Sequence, residues 1–198
     1  KDVKITPKTS VPSVTKKVKE TNDSTGKVTD WQDYADYDMK DKVPFQLTAT
    51  LPANLDSYES YYFELADKLS PGLTYNGDAT VYLVNGKNRI DVTKYFKLDG
   101  LNFKIDNLKS LSELTSSSKI VVEYNATLNE NAVLGLAGNT GSVELIYSNN
   151  PNDTGSGAST GKTPEEVVKV YTYEAIFEEV DKNKESLKGA EFTLYKVI

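Results

Sequence analysis

Three residues with complementary chemistry interrupt the apolar faces of predicted strands. Lys16 interrupts SVTKKVKE, Asp67 interrupts YYFELADKLS, and Asn149 follows the apolar positions of SVELIYSNN. Because side chains alternate between the two faces of a strand, all three are predicted to point into the core. An amine, an acid and a carboxamide that meet in an apolar core can react with one another.

The predicted reaction is the formation of an amide bond between two side chains. Burial favours the uncharged forms, since it lowers the pKa of a lysine and raises that of an aspartic acid. The neutral amine of Lys16 then attacks the amide carbon of Asn149, while Asp67 polarises the carbonyl and relays protons. Folding supplies proximity worth roughly 7–11 kcal/mol of the barrier. Ammonia leaves in a single turnover, so the chain is not predicted to be an enzyme.

Alternatives remain open at each of the three positions. A strand register that slips by one residue exchanges Lys16 for Lys17 and Asn149 for Asn150. Glu123 in KIVVEYNATL is the alternative acid, although the alternation puts it on the polar face. Ordinary structural roles also fit these residue types, because lysines extend to solvent and asparagine before proline commonly ends a strand.

The composition excludes several classes of site. The 198 residues are 38% hydrophobic and carry a net charge of −6, with no cysteine and no histidine. Disulfides, thiolate nucleophiles, zinc sites with Cys or His ligands and Ser-His-Asp triads are therefore excluded. The acidic balance argues against nucleic-acid and anionic membrane partners. The run DWQDYADYDMKD lacks the spacing of a calcium loop, so no metal and no cofactor are expected.

Period-two alternation dominates the chain and predicts an all-β sandwich. About eight strands are expected, with turns at Pro71-Gly72 and Asn85-Gly86 and two short helical insertions at 110–115 and 130–136. Residues 1–10 are interpreted as a leading segment and 11–175 as the sandwich, with a polar loop beginning at NNPNDTGSG. Residues 176–198 contain one further hairpin, which is too little for an independent domain. We expect an interior piece of a longer secreted chain.

Five sequence blocks in 11–175 resemble the second domain of Gram-positive backbone pilins, the major shaft subunits of sortase-assembled fimbriae. They are SVTKKVKE, DWQDYADYDMKDKVPFQLTATLP, YYFELADKLSPGLTYN, KIVVEYNATLNENAV and ELIYSNNPN. The resemblance implies a CnaA-like, Ig-type β-sandwich with an intramolecular Lys–Asn isopeptide bond assisted by an Asp or Glu. By block position, these residues are Lys16, Asp67 and Asn149.

The tail VDKNKESLKGAEFTLYKV resembles the start of a CnaB-like pilin domain. In that domain type a bond-forming lysine commonly stands just before VD, where this chain has Glu179. The sorting signal LPXTG and the lysine-bearing pilin motif are absent from this sequence. The resemblance therefore implies sortase-mediated joining to neighbouring pilin subunits through motifs outside this fragment, at the extracellular cell wall or pilus surface.

The resemblance implies a structural shaft subunit whose isopeptide bond gives mechanical and protease resistance. A covalent loop of about 130 residues between Lys16 and Asn149 stabilises the fold by about 5 kcal/mol in the chain-entropy model. The alternative function is a cell-wall-anchored adhesin module that binds host matrix or another surface ligand. Tyr58, Tyr61 and Tyr62 are the predicted contact residues for that alternative.

Overall fold

The computed structural model describes residues 11–22, 25–153 and 159–174, together with positions 180, 182 and 193. Within these residues the chain forms thirteen strands and four short 3-10 helices. The strands are β1 (Val14–Val18), β2 (Tyr34–Asp36), β3 (Lys42–Thr50), β4 (Phe63–Leu69), β5 (Leu73–Tyr75), β6 (Thr80–Asn85), β7 (Asn88–Asp91), β8 (Lys97–Asp99), β9 (Asn102–Ile105), β10 (Lys119–Leu128), β11 (Asn139–Ser148), β12 (Thr160–Lys162) and β13 (Glu166–Tyr171). The 3-10 helices are Leu55–Ser57, Thr93–Tyr95, Leu108–Ser110 and Gly135–Ala137.

The first sheet has the strand order β1-β3-β10-β6-β7, and β5 pairs with one end of β10. Its central strands alternate as the sequence predicts, because one face is packed on the core and the other meets solvent. In β3 the buried positions are Val43, Phe45, Leu47 and Ala49, and the residues between them are half-buried. Strand β1 is at one edge of this sheet.

The second sheet has the order β2-β13-β11-β4-β9-β8, with β12 paired to β11. All its pairings are antiparallel except that of β2 with β13. The neighbouring strands β4 and β11 bury Leu65 opposite Leu145 and Asp67 opposite Val143. The all-β sandwich predicted from the alternation is confirmed.

Both predicted turns are present. In the β6–β7 hairpin Asn85 pairs with Asn88, and Gly86 has a φ of +60°, a conformation that glycine adopts without steric cost. At Pro71-Gly72 the amide of Leu73 donates a hydrogen bond of 3.0 Å to the carbonyl of Ser70, which connects β4 to β5.

Some predicted elements differ from the structure. The segments 110–115 and 130–136 are not helices; only Leu108–Ser110 and Gly135–Ala137, beside or overlapping them, form single 3-10 turns. Segments this short do not offset the cost of helix nucleation. The polar loop after β11 is shorter than predicted, because β12 pairs with β11 within it.

The leading segment 1–10 and most of the predicted next domain, 176–198, lie outside the described residues. No helix in the described part of the chain is long and apolar enough to cross a membrane.

Candidate functional site

A buried lysine and a buried aspartate meet between the two sheets. Lys16 is the central residue of β1, and its side chain extends from the first sheet to Asp67 in β4 of the second sheet. The amine donates a hydrogen bond to Asp67 Oδ1, and neither side chain has any solvent-exposed surface. The structure thus brings together two of the three residues predicted to react.

The hydroxyl of Tyr124 completes a closed set of three hydrogen bonds. The Lys16 amine donates to the Tyr124 hydroxyl at 2.8 Å, and this hydroxyl donates to Asp67 Oδ2 at 2.6 Å. Tyr124 is in β10, directly opposite Phe45 in β3, and is 2% exposed. We call Lys16, Asp67 and Tyr124 the buried triad.

Apolar and aromatic groups surround the buried triad. The Lys16 amine lies 5.0 Å from the centre of the Phe45 ring, and Phe45 stacks on Tyr124 with ring centres 5.2 Å apart. The opposite side of the lysine packs on Gly141, where a Cβ atom would lie 2.7 Å from Lys16 Cε and 3.0 Å from Nζ. Glycine at 141 is therefore needed for the lysine to occupy this position.

Burial shifts the protonation equilibria of the triad toward uncharged groups. Desolvation lowers the pKa of Lys16, with the charge and hydrogen bond of Asp67 acting in the opposite direction. Desolvation also raises the pKa of Asp67, against the opposing effects of Lys16, Tyr124 and the Lys68 amide. The pKa of Tyr124 is raised as well, by desolvation and by Asp67. A neutral amine beside a protonated acid is the arrangement that nucleophilic attack by lysine requires.

The prediction that Asn149 faces the core is wrong. Its side chain is exposed, and its Oδ1 accepts a hydrogen bond of 2.8 Å from the Ser159 hydroxyl. The alternation breaks at the end of β11, because Ser148 is buried and its hydroxyl accepts from the Tyr62 amide at 2.8 Å. The strand from Gly141 to Ser148 is about 23 Å long at 3.3 Å per residue, which is beyond the reach of Lys16.

The alternative candidates are also outside the buried triad. Asn150 is exposed and its Oδ1 accepts from the amide of Asn152 at 3.0 Å. Lys17 points to the outer side of β1, where it forms an ion pair with Asp33. Glu123 lies on the outer face of β10, as its alternation predicts, and forms an ion pair of 2.6 Å with an arginine of β7. None of these three side chains hydrogen-bonds or pairs with Lys16 or Asp67.

Asn139 is the buried carboxamide that the sequence prediction missed. It is the first residue of β11, 0% exposed, and is the only asparagine or glutamine buried in the described residues. Its Oδ1 accepts from the Val133 amide at 2.9 Å, and its Nδ2 donates to the carbonyl oxygens of Val133 and Val170 at 3.2 and 3.3 Å. A Cβ atom at Gly72 would lie 2.1 Å from Asn139 Oδ1.

A sequence signal for Asn139 exists. Asn139, Gly141, Val143 and Leu145 alternate along β11 and share its buried face. The sequence pattern predicts a strand that begins at Ser142. Gly141 has no side chain to mark the buried face, so the pattern does not extend the strand to Asn139. The Lys16 side chain packs on Gly141, one step along the same face from Asn139, and such a step is about 7 Å.

The described residues contain no group of three or more His, Cys, Asp or Glu side chains positioned to bind a metal ion. The buried groups of the site are an amine, a carboxyl, a phenol and a carboxamide.

Comparison with known proteins gives one curated relative and several structural neighbours. The chain is 29% identical over 210 residues to the trypsin-resistant surface T6 protein of Streptococcus pyogenes serotype M6, covering 95% of this chain and 37% of that protein. No protein-family model matches the chain.

The structural neighbours have the same fold. The major pilin GBS80 of Streptococcus agalactiae, as a 35 kDa C-terminal fragment, matches with a TM-score of 0.62 and 23% identity over 89% of this chain and 61% of that fragment. The T6 backbone pilin of Streptococcus pyogenes serotype M6 matches with a TM-score of 0.61 and 26% identity, over 90% and 40%. The major pilin BcpA of Bacillus cereus matches with a TM-score of 0.58 and 13% identity, over 90% and 46%.

The chain spans about two fifths of the length of the T6 protein. The homologues and structural neighbours of this chain are major backbone pilins of Gram-positive bacteria, which confirms the resemblance found in the sequence.

Proposed function

We propose that this chain is a structural module of a pilus shaft subunit at the bacterial surface, stabilised by an intramolecular isopeptide bond between Lys16 and Asn139. The observation that carries the proposal is the fully buried Lys16–Asp67 pair, one strand step from a fully buried carboxamide. The match to backbone pilins supports the structural role. Asn139 replaces Asn149 as the acceptor because Asn149 is exposed.

The reaction begins when Lys16 gives a proton to Asp67, which leaves a neutral amine. The lone pair of Nζ attacks Cγ of Asn139, and the charge that develops on Oδ1 is stabilised by the Val133 amide, which already donates to this atom at 2.9 Å. The nitrogen of Lys16 loses a second proton as the intermediate collapses, while Asp67 gives one proton to the departing Nδ2 and ends the reaction protonated. One C–N bond forms, one breaks, and ammonia is released.

The two reacting side chains come into contact by side-chain rotation. Lys16 and Asn139 hydrogen-bond different partners in this structure, the lysine within the buried triad and the asparagine with Val133 and Val170. The lysine packs on Gly141, whose Cα atom is one same-face step, about 7 Å, from that of Asn139, so the end of the lysine side chain must move along this face toward Asn139. The barrier reduction available from such proximity is roughly 7–11 kcal/mol.

The bond would join the two sheets through covalent chemistry. Lys16 belongs to edge strand β1 of the first sheet, whereas Asn139 begins β11 inside the second sheet. A closed loop of about 120 residues stabilises the fold by about 5 kcal/mol in the chain-entropy model, and unlike a disulfide it resists reduction. Under tension along the chain, the force would pass through the isopeptide bond, and the residues between Lys16 and Asn139 would not be stretched. Neighbouring pilin subunits, joined by sortase, are the proposed partners.

The adhesin alternative has no specific observation in its favour. Of the tyrosines proposed to contact a ligand, Tyr58 and Tyr61 are buried and Tyr62 is half-buried. They pack inside the molecule, since Tyr58 and Tyr61 meet edge to face with ring centres 5.0 Å apart. The shaft function is therefore the better supported of the two.

A matched pair of lysine variants tests the proposed bond. Lys16→Met removes the buried amine, and Lys17→Met removes the exposed neighbour as a control. Intact mass under denaturing conditions should show the full sequence mass for Lys16→Met and the loss of one ammonia for Lys17→Met and the unaltered chain. Equal masses for the two variants would reject Lys16 as the bond-forming residue.

A further inference from the structure

We propose that Tyr124 is a catalytic residue of the bond-forming reaction, with its hydroxyl carrying a proton from the Lys16 amine to the Asp67 carboxyl. The inference rests on the proposed function. It concerns a group that touches the reacting nitrogen directly, at 2.8 Å.

The position of the Tyr124 hydroxyl is fixed by its surroundings. The ring stacks on Phe45 at 5.2 Å, meets the edge of Tyr75 at 5.4 Å and lies 6.4 Å from Phe103. These three contacts come from the strands β3, β5 and β9, so both sheets hold the ring in place. The hydroxyl is therefore directed at the Lys16–Asp67 pair without a loss of rotational freedom during the reaction.

The direction of the hydrogen bonds keeps the nucleophile available. A phenol has a single proton, and Tyr124 donates it to Asp67 Oδ2 at 2.6 Å. Toward Lys16 the same oxygen acts only as an acceptor. The lone pair of the neutral amine thus remains free to attack, whereas a hydroxyl that donated to Nζ would block it.

The proton transfer through Tyr124 is balanced. Once Nζ has attacked, its N–H bond to Tyr124 breaks as an O–H bond forms on Tyr124, and the original phenol proton moves to Asp67 Oδ2. Tyr124 ends with one proton, as it began. Because burial raises the pKa of Tyr124, a persistent phenolate is disfavoured and the two transfers are expected to be concerted.

The relay through Tyr124 also gives each oxygen of the Asp67 carboxyl its own proton route. Asp67 Oδ1 accepts directly from the Lys16 amine while Oδ2 is reached through Tyr124, so the two oxygens of one carboxyl receive protons by separate routes. Attack on an amide requires the amine to lose protons and the leaving nitrogen to gain them. Two routes to the same carboxyl allow it to accept from the nucleophile with one oxygen and donate to the leaving group with the other.

The alternative explanation is that Tyr124 only fills the core and pairs with Asp67. A merely structural tyrosine would change thermal stability when its hydroxyl is removed, but would leave the rate of bond formation in the folded chain unchanged. The rate of ammonia loss at a fixed folded fraction separates the two explanations.

The experiment uses Tyr124→Phe, with Tyr75→Phe as the matched control. Both variants keep their rings, and the Tyr75 hydroxyl accepts from the Ala79 amide outside the buried triad. The full chain is recovered unfolded from inclusion bodies, refolded by dilution, and quenched in denaturing acid at successive times for intact mass. Circular dichroism follows the folded fraction in parallel.

We expect Tyr124→Phe to lose ammonia on the order of tenfold or more slowly than the unaltered chain, and Tyr75→Phe to react at the unaltered rate. Equal rates for Tyr124→Phe and the unaltered chain would overturn the role of Tyr124 while leaving the isopeptide bond intact. If the unaltered chain folds and never loses ammonia, the proposed function and this inference both fail.

A second substitution covers the case in which Tyr124→Phe does not fold. Incorporation of 3-fluorotyrosine at position 124 keeps the ring and the hydroxyl but makes the phenol more acidic. A changed rate and a changed pH profile of ammonia loss are expected if the proton passes through this oxygen. An unchanged profile would overturn the proposal.

Discussion

The amine of Lys16 and the carboxyl of Asp67 are hydrogen-bonded to each other across the two sheets, and neither side chain touches solvent. Removing two such groups from water costs several kcal/mol per ion, which their attraction offsets only in part. A buried pair of this kind therefore adds little net stability beyond that of apolar residues of similar volume. In the proposed function its contribution is chemical, because the same burial that disfavours the charges favours a neutral amine.

Asp67→Asn should give a folded domain without the crosslink. The substitution keeps the shape of the side chain but removes the group that accepts and returns protons. Loss of about 5 kcal/mol of loop-closure stabilisation should lower the melting temperature by roughly 10–20 °C. Intact mass and calorimetry measure the two effects, together with digestion by trypsin, which should be faster. Glu123→Gln is the control and should keep the ammonia deficit; the opposite pattern would make Glu123 the assisting acid.

Asn139→Ala should abolish the crosslink, whereas Asn149→Ala should leave it intact. The structural reason is burial: Asn139 is fully enclosed beside the Lys16 site, and Asn149 is exposed at the other end of β11. Asn139→Ala should also cost about 1–3 kcal/mol through the unpaired backbone groups of Val133. Peptide mapping after digestion is the measurement. A crosslinked peptide that survives in Asn139→Ala would show that another acceptor reacts with Lys16.

Gly141→Ala should slow bond formation and destabilise the domain by about 1–3 kcal/mol through overpacking. The new methyl group would lie 2.7 Å from Lys16 Cε and must displace the lysine from the buried triad. The neighbouring Ser142→Ala, on the outer side of the same strand, is the control. Denaturant unfolding and the time course of ammonia loss test the prediction. Wild-type behaviour of Gly141→Ala would mean that the lysine position is not set by this contact.

Stability of the uncrosslinked Asn139→Ala variant should depend on pH in two windows. In the folded state the pKa of Asp67 is raised above its ordinary 3.8. Between pH 3.8 and the raised pKa the folded state holds more protons than the unfolded state, so stability falls as pH rises. In the folded state the pKa of Lys16 is lowered below its ordinary 10.5. Between the lowered pKa and pH 10.5 the unfolded state holds more protons than the folded state, so stability rises with pH. Denaturant unfolding across both windows measures these slopes.

The crosslinked protein provides the comparison for the pH experiment. Its Lys16 is an amide that no longer titrates, so the rise in stability on the alkaline side should be absent. An identical alkaline rise in the crosslinked and uncrosslinked proteins would show that another group causes it.

Much of the fold follows from period-two alternation. Val43, Phe45, Leu47 and Ala49 are buried because one face of β3 packs on the core, and the same rule correctly placed Lys16 and Asp67 inside and Glu123 outside. Strands β3, β4 and β10 are paired on both sides, and the edge strand β1 is paired with β3 along its whole length, so neighbouring strands fix the register at these positions.

The proposed acceptor could not be derived by the same rule. Alternation fails at the end of a strand, where Ser148 turns inward to bond Tyr62 and Asn149 turns outward. At the other end of β11, the glycine at 141 carries no side chain to mark the buried face, so Asn139 escaped the pattern. The role of Gly141 is visible only in three dimensions, from its contact with a lysine that is distant in sequence.

The most direct test of the account is the intact mass of the unaltered chain under denaturing conditions, followed by mapping of the crosslinked peptide. The account predicts a deficit of one ammonia relative to the sequence mass, and a branched peptide in which Lys16 is joined to Asn139. The full sequence mass in the folded, purified chain would contradict it, and a branched peptide that contains Asn149 would contradict the assignment of the acceptor.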